Sequence, residues 1–374
     1  MPKVGQNVDT ARLSLDEFCV VTSCLAPDPT SGPLRRDITD ALATVYWYRW
    51  VRRAAGHGTP YAISRLVEPN SHWSKGSGER FHRNKWPKYA RGQHRPNDGL
   101  VNATERLFPG SARQIRHPLW EVLKRPPRSA RSIEKFEAML RPDVQALILR
   151  WRPRGRCSTA ASVWPLAKRL ERTQDLDALT ALILQLHEAR LAGQPGVERE
   201  WARHVYRCLL LISEELLLHG IAQPLFELID RRVLQSASNE GWRYAFPASR
   251  YLAGGEFLED VLWHIKGVEC TALTNAQRVR HMQKVLDGDY GFDCLFALNP
   301  FRTVAAREVA LPENLLRQIL TDMHLFLWSW NMRHERQVHP WLPPKEVFDG
   351  ADLHARAPDP LTEWQARSSS GSSA

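Results

Sequence analysis

Between Arg80 and Arg95 the chain places six Lys or Arg, two His and three aromatics in sixteen residues, with no acid among them. Cations at this density neutralise phosphate, and the same side-chain types also match base edges, Arg and Lys with guanine and Asn with adenine. Trp86 and Tyr89 lie three apart, a spacing that turns both rings to one face of a helix, so they are expected to pack inward while the cations point outward. Arg80, Arg83, Asn84, Lys85 and Lys88 lead up to and flank these two rings. Arg91 and Arg95 flank a turn at Gly92 and suit phosphate contacts. These seven residues are the candidate nucleic-acid contacts.

The charge balance points the same way. Residues 1–130 hold 21 Lys and Arg against 11 Asp and Glu, whereas residues 131–374 hold 30 of each, so the whole excess of +10 lies in the first third. A one-signed field on one region speeds encounter with a polyanion. Other chemistry finds little support. No glycine-rich phosphate loop and no Gly-x-Ser-x-Gly elbow occurs. Asp287, Asp289 and Asp293 are spaced like the start of a calcium loop, but its glycine and terminal glutamate are missing. His324, His334 and His339 are not spaced to share one helical face. The six cysteines form no Cys-x-x-Cys pair and read as reduced, mostly buried thiols. No catalysis, cofactor or metal is expected. With no signal peptide and no run of ~18 apolar residues, the expected location is the cytoplasm, away from membranes.

The elements that must hold the basic stretch are helical. From Asp37 to Ala55 apolar residues recur at three and four, predicting an amphipathic helix with Arg49, Arg52 and Arg53 toward its negative pole. Thr59-Pro60 caps a short helix Tyr61–Val67. A loop over 70–79 leads to the basic helix, and Pro96-Asn97 opens another, with Leu100, Ala103 and Leu107 on one face. Pro126-Pro127 marks a domain boundary. Beyond it a helical pattern dominates, including Leu176–Leu191, Glu198–Leu218, Asn275–Leu286 and Pro312–Gln337, with no hairpin signal. The expectation is an all-α protein in which a helix-turn-helix-like domain precedes a larger helical bundle. Its divisions are an N-terminal segment 1–34, a basic domain 35–127, a basic helical linker 128–163, a helical domain 164–345 and a flexible tail 346–374. In the last long helix Leu316, Ile319, Leu320, Met323, Leu327 and Trp330 are expected in the core, and Phe326 and Trp328 offer an exposed aromatic strip as the alternative.

Over about residues 59–109, Tyr89-Ala-Arg-Gly92 followed by Pro96 and Leu100 resembles the second half of the Cro/C1 repressor type of helix-turn-helix. The resemblance implies a recognition helix closed by an aromatic and a glycine, with Tyr61–Val67 as the helix before it, and places Arg80, Arg83, Asn84, Lys85 and Lys88 at or near the start of the helix that enters the major groove. Here Val67 and the basic helix are separated by more than ten residues, and Pro87 requires that helix to begin near Trp86. The resulting expectation is a DNA-binding regulator that grips duplex DNA, with the C-terminal helices serving oligomerisation or partner binding. The alternative is a helical interaction or effector protein, for example in a defence or mobile-element system, whose basic region binds RNA or an acidic protein.

Overall fold

The computed structural model describes residues 37–56, 58–74, 80–82, 85–151, 160–234, 242–245, 248–264, 272–304 and 312–334. The fold is all-α. In chain order the helices are α1 (Ile38–Ala54), α2 (Pro60–Val67), α3 (Trp86–Ala90), α4 (Asp98–Leu107), α5 (Ser111–Ile115), α6 (Pro118–Lys124), α7 (Ala130–Glu137), α8 (Pro142–Trp151) and α9 (Ala160–Glu171). They continue as α10 (Leu176–Leu191), α11 (Pro195–Leu211), α12 (Ser213–Leu218), α13 (Ala222–Ile229), α14 (Ala248–His264), α15 (Asn275–Asp287), α16 (Phe292–Leu298) and α17 (Glu313–His334). Two short antiparallel ribbons interrupt them, β1 (His72–Ser74) with β2 (Arg80–His82) and β3 (Trp242–Ala245) with β4 (Phe301–Val304). The second ribbon joins segments far apart in sequence, which is why no hairpin signal announced it.

Two helices are enclosed on nearly every side. In α1 the run Ala41–Tyr48 is buried without interruption, because Leu42, Val45 and Tyr46 enter the main core while Trp47, Tyr48 and Val51 enter a smaller one. The expected amphipathic helix is therefore a shared wall between two cores, and only its last turn faces outward. Asp37 starts it by accepting a hydrogen bond from the Thr39 amide at 2.8 Å. α10 is the axis of the larger core, with Leu179, Leu182, Ile183, Leu184 and Leu186 all fully buried. A helix buried on nearly every face needs partners all round, and α6, α7, α8, α9 and α11 supply them.

That packing corrects the expected domain division. Leu119, Val122 and Leu123 of α6, Ile133 of α7 and Val144 of α8 belong to the same core as α10 and α11. Pro126-Pro127 ends a helix but does not end the packing, so residues 128–163 are not a separate linker as far as they are described. The segments 1–34 and 346–374 lie outside the described residues.

Two buried carboxylates tie these helices together. Asp177, in the first turn of α10, accepts hydrogen bonds from Arg113 Nη2 of α5 at 2.7 Å and from the Arg141 amide at 3.1 Å. His117 Nε2, from the residue capping α6, lies 3.4 Å from its other oxygen. Burial would raise its pKa, but His117 and Arg113 outweigh that and hold the carboxyl well below the usual range. Glu171, at the end of α9, is fully buried and meets His204 Nδ1 at 2.7 Å and Arg207 Nε at 2.9 Å from α11. It also accepts a hydrogen bond from Gln283 Nε2 of α15 at 3.0 Å. Burial opposes its ionisation; Arg207, His204 and Lys168 overcome this and hold it far below the usual carboxylate range.

The close approach of α14 to α12 rests on a missing side chain. A Cβ on Gly255 would run into Ser213 Oγ and lie 2.7 Å from Ser213 Cβ. In α17, Ile319, Leu320, Leu325 and Phe326 are buried, while Leu316 and Leu327 are exposed. The core expectation thus fails at Leu316 and Leu327, while Phe326 is buried and covered by the Arg250 guanidinium, 3.8 Å from its ring centre, so the alternative of an exposed strip fails at that residue. Cys208 and Cys294 are buried; the other four cysteines lie outside the described residues.

Asp177→Asn offers a test of the clamp. A carboxylate whose folded pKa lies below its unfolded value of ~3.9 adds stability that is complete above that value and lost as pH falls through the folded pKa. Wild type should therefore lose thermal stability progressively below about pH 4, and the variant should start lower at neutral pH but lose less on acidification. Parallel melting curves across pH for the two proteins check this; identical acid limbs would show that Asp177 is not a clamp.

Candidate nucleic-acid interface

The basic helix is short and anchored from below. α3 spans five residues, with Pro87 in its first turn where no backbone amide is needed. Trp86 is 1% exposed and stacks on Trp47 with ring centres 5.7 Å apart, and Tyr89 meets Trp86 edge-on at 5.8 Å. Both aromatics pack inward, as their spacing predicts. Glu68, which follows α2, accepts a hydrogen bond from Trp86 Nε1 at 3.1 Å and pairs with Lys85 Nζ at 3.5 Å. One carboxylate thus fixes the ring and the first cation of α3.

Gly92 closes the helix in the left-handed region at φ +66°. The Gln93 amide returns to Lys88 O at 2.9 Å and the Gly92 amide to Tyr89 O at 3.0 Å, a glycine C-cap of Schellman type. A Cβ on Gly92 would lie 3.0 Å from Ala41 O and 3.2 Å from Val45 Cγ2, so the turn also depends on bare backbone against α1. Pro96 is buried one residue before the cap of α4, which is Asn97, whose Oδ1 accepts from the Leu100 amide at 2.8 Å. Proline therefore precedes the capping residue and does not itself open the helix.

The seven expected contacts separate into three groups. Arg80 lies on β2, opposite Ser74, and not on the helix, because the approach to α3 is an extended ribbon. Arg83 and Asn84 lie outside the described residues. Lys85, Lys88, Arg91 and Arg95 are gathered along α3 and its closing turn. Lys85 is shared with Glu68, and Arg95 Nη1 lies 3.4 Å from Asp40 Oδ1. Lys88 and Arg91 are exposed and have no carboxylate partner among the described residues. The link between α2 and α3 also departs from a tight turn, since a 3-10 turn at Pro69–Ser71 and the β1–β2 ribbon intervene.

Asp40 brings in a second basic run that the spacing of the first does not reveal. Its Oδ2 accepts a hydrogen bond from Lys124 Nζ at 2.7 Å, so the end of α6 abuts the segment that carries Arg95. Beyond Lys124 the exposed residues Arg125, Arg128, Arg131 and Lys135 have no carboxylate partner among the described residues. In sequence the signal was present as four cations without an acid from Lys124 to Arg131, overshadowed by the proline pair within it. A cavity of about 230 Å³ elsewhere, beside Tyr46, Gln174, Glu214, Glu215, Glu259 and Arg278, is acid-rich and does not suit phosphate. Among the described residues no group of His, Cys, Asp and Glu could hold a metal ion, and no helix is long and apolar enough to cross a membrane.

Comparison with known proteins finds no matching family model, no similar curated protein and no similar solved structure.

Gly92→Ala should lower stability by about 1–3 kcal/mol, because it adds a side chain in a left-handed conformation against immovable backbone. Denaturant unfolding reads this directly; a wild-type midpoint in the variant would remove the turn as the device that seats α3 on α1.

Proposed function

We propose that this protein binds duplex DNA through the sugar-phosphate backbone, using Lys88, Arg91 and Arg95 on the surface of α3 and its closing turn. The observation that carries this reading is the inward burial of Trp86 and Tyr89 beneath Lys88 and Arg91, which are exposed and have no carboxylate partner among the described residues. Buried rings are withdrawn from stacking on unpaired bases, the main attraction of single-stranded sites. Cations on a packed helix instead present fixed charges to a regular phosphate array. A helix of five residues is only ~7 Å long, too short to project several side chains along a groove floor. Binding is therefore grip rather than reading. This reading departs from a repressor-type recognition helix while keeping its location.

The test is fluorescence anisotropy over a salt series with two unrelated DNA duplexes of about 20 bp, a duplex RNA and polyglutamate. The two DNA sequences should bind within a few-fold of each other. Lys88→Ala with Arg91→Ala should reduce the slope of log affinity against log salt by about two, at ~0.9 per lost phosphate contact. The melting temperature should not change, since both side chains are exposed. Absence of duplex affinity at low salt overturns the proposal. Stronger binding to RNA or to polyglutamate than to DNA assigns the surface to that class of partner instead.

A further inference from the structure

We propose that the Lys124–Arg131 run and the α3 turn form one continuous phosphate-binding surface that holds a single duplex, with Asp40 as the brace that sets their spacing. This rests on the duplex-binding reading above and extends it to residues in a different part of the sequence. Asp40 stands in the first turn of α1, the helix enclosed by both cores, so its carboxylate is held on a rigid element. One oxygen takes Arg95 at 3.4 Å and the other takes Lys124 at 2.7 Å. The two basic segments are thereby fixed side by side, although 28 residues of chain separate their innermost cations. Arg232 reinforces the second segment from beneath, donating to Leu123 O at 2.9 Å and pairing with Asp37 at 3.3 Å.

The segment itself is built to hold cations outward. α6 ends at Lys124, and Pro126-Pro127 prevents its continuation. Pro127 is buried while Arg125 and Arg128 are exposed on either side of it. A capping box between Ser129 and Ser132 then starts α7 and presents Arg131 and Lys135 one turn apart. Acids flank the run in sequence, Glu121 on α6 and Glu134 on α7, and no ion pair joins either to these cations among the described residues. The acid-free run Lys124–Arg131 beside Arg95 matches a phosphate backbone, which carries one charge per ~3.4 Å of helix axis on each strand.

The measurement is the salt dependence of duplex binding by full-length wild type and by the triple variant Arg125→Ala, Arg128→Ala, Arg131→Ala. The slope should fall by about two to three, while stoichiometry stays at one duplex per chain. Combining this variant with Lys88→Ala and Arg91→Ala should add the two losses. All five side chains are exposed, so melting temperature should stay within a few degrees of wild type and each variant remains a fair comparison. Wild-type binding with an unchanged slope in the triple variant overturns this inference and leaves the α3 proposal standing. Two duplexes per chain, each lost with one variant set, also overturns it. A wild type that binds no duplex removes both.

Discussion

A buried carboxylate at the head of a helix surrounded on all sides is the constraint on which the rest of the structure depends. α10 carries no solvent-facing stripe along most of its length, so it is stable only inside a ring of other helices. Asp177 selects which helix ends arrive at its N-terminus. Arg113, His117 and the Arg141 amide converge on it, from segments that the proline pair at 126–127 divides in sequence. Without those partners a carboxylate in that place would face the cost of desolvation unrelieved. The ion pairs therefore select one arrangement of helices, while the apolar contacts supply most of the stabilising free energy.

The same logic recurs at the far side of the core. Glu171 joins α9, α11 and α15 through His204, Arg207 and Gln283, and Arg207 also reaches Leu286 O at 2.7 Å and Asp287 at 2.7 Å. Asp287, which opens a sequence resembling a calcium loop, is thus an anchor for Arg207 and Lys168. Gly288 follows in the left-handed region as a helix cap. A carboxylate-rich turn has become structural, because the cations that reach it come from other helices.

The basic surface inherits its rigidity from this frame. α1 offers one face to the large core and the other to Trp86 and Tyr89, so the shallow helix above them is seated on a buried aromatic stack. Asp40, Glu68 and Asp37 each spend their charge on cations of other segments. What is left exposed and without an acid is positive. Lys88, Arg91, Arg125, Arg128 and Arg131 are left exposed with no carboxylate partner among the described residues.

Much of this was legible in the residues themselves. The all-α class and the limits of α10 follow from apolar periodicity, which a local pattern records faithfully. Trp86 and Tyr89 turn inward because residues three apart share a helix face, and Gly92 takes the left-handed cap because only glycine does so without strain. Periodicity cannot report how many neighbours a helix will have. Hence α1 reads as amphipathic yet is enclosed, Leu316 and Leu327 read as core yet are exposed, and Pro126-Pro127 reads as a boundary although one core passes it. Ribbon pairing at Trp242–Ala245 was hidden because its partner strand, Phe301–Val304, is not local. Above all, only the fold brings Arg95 and Lys124 to one carboxylate. Charge pairing between distant segments depends on distances through space, and spacing along the chain does not encode them.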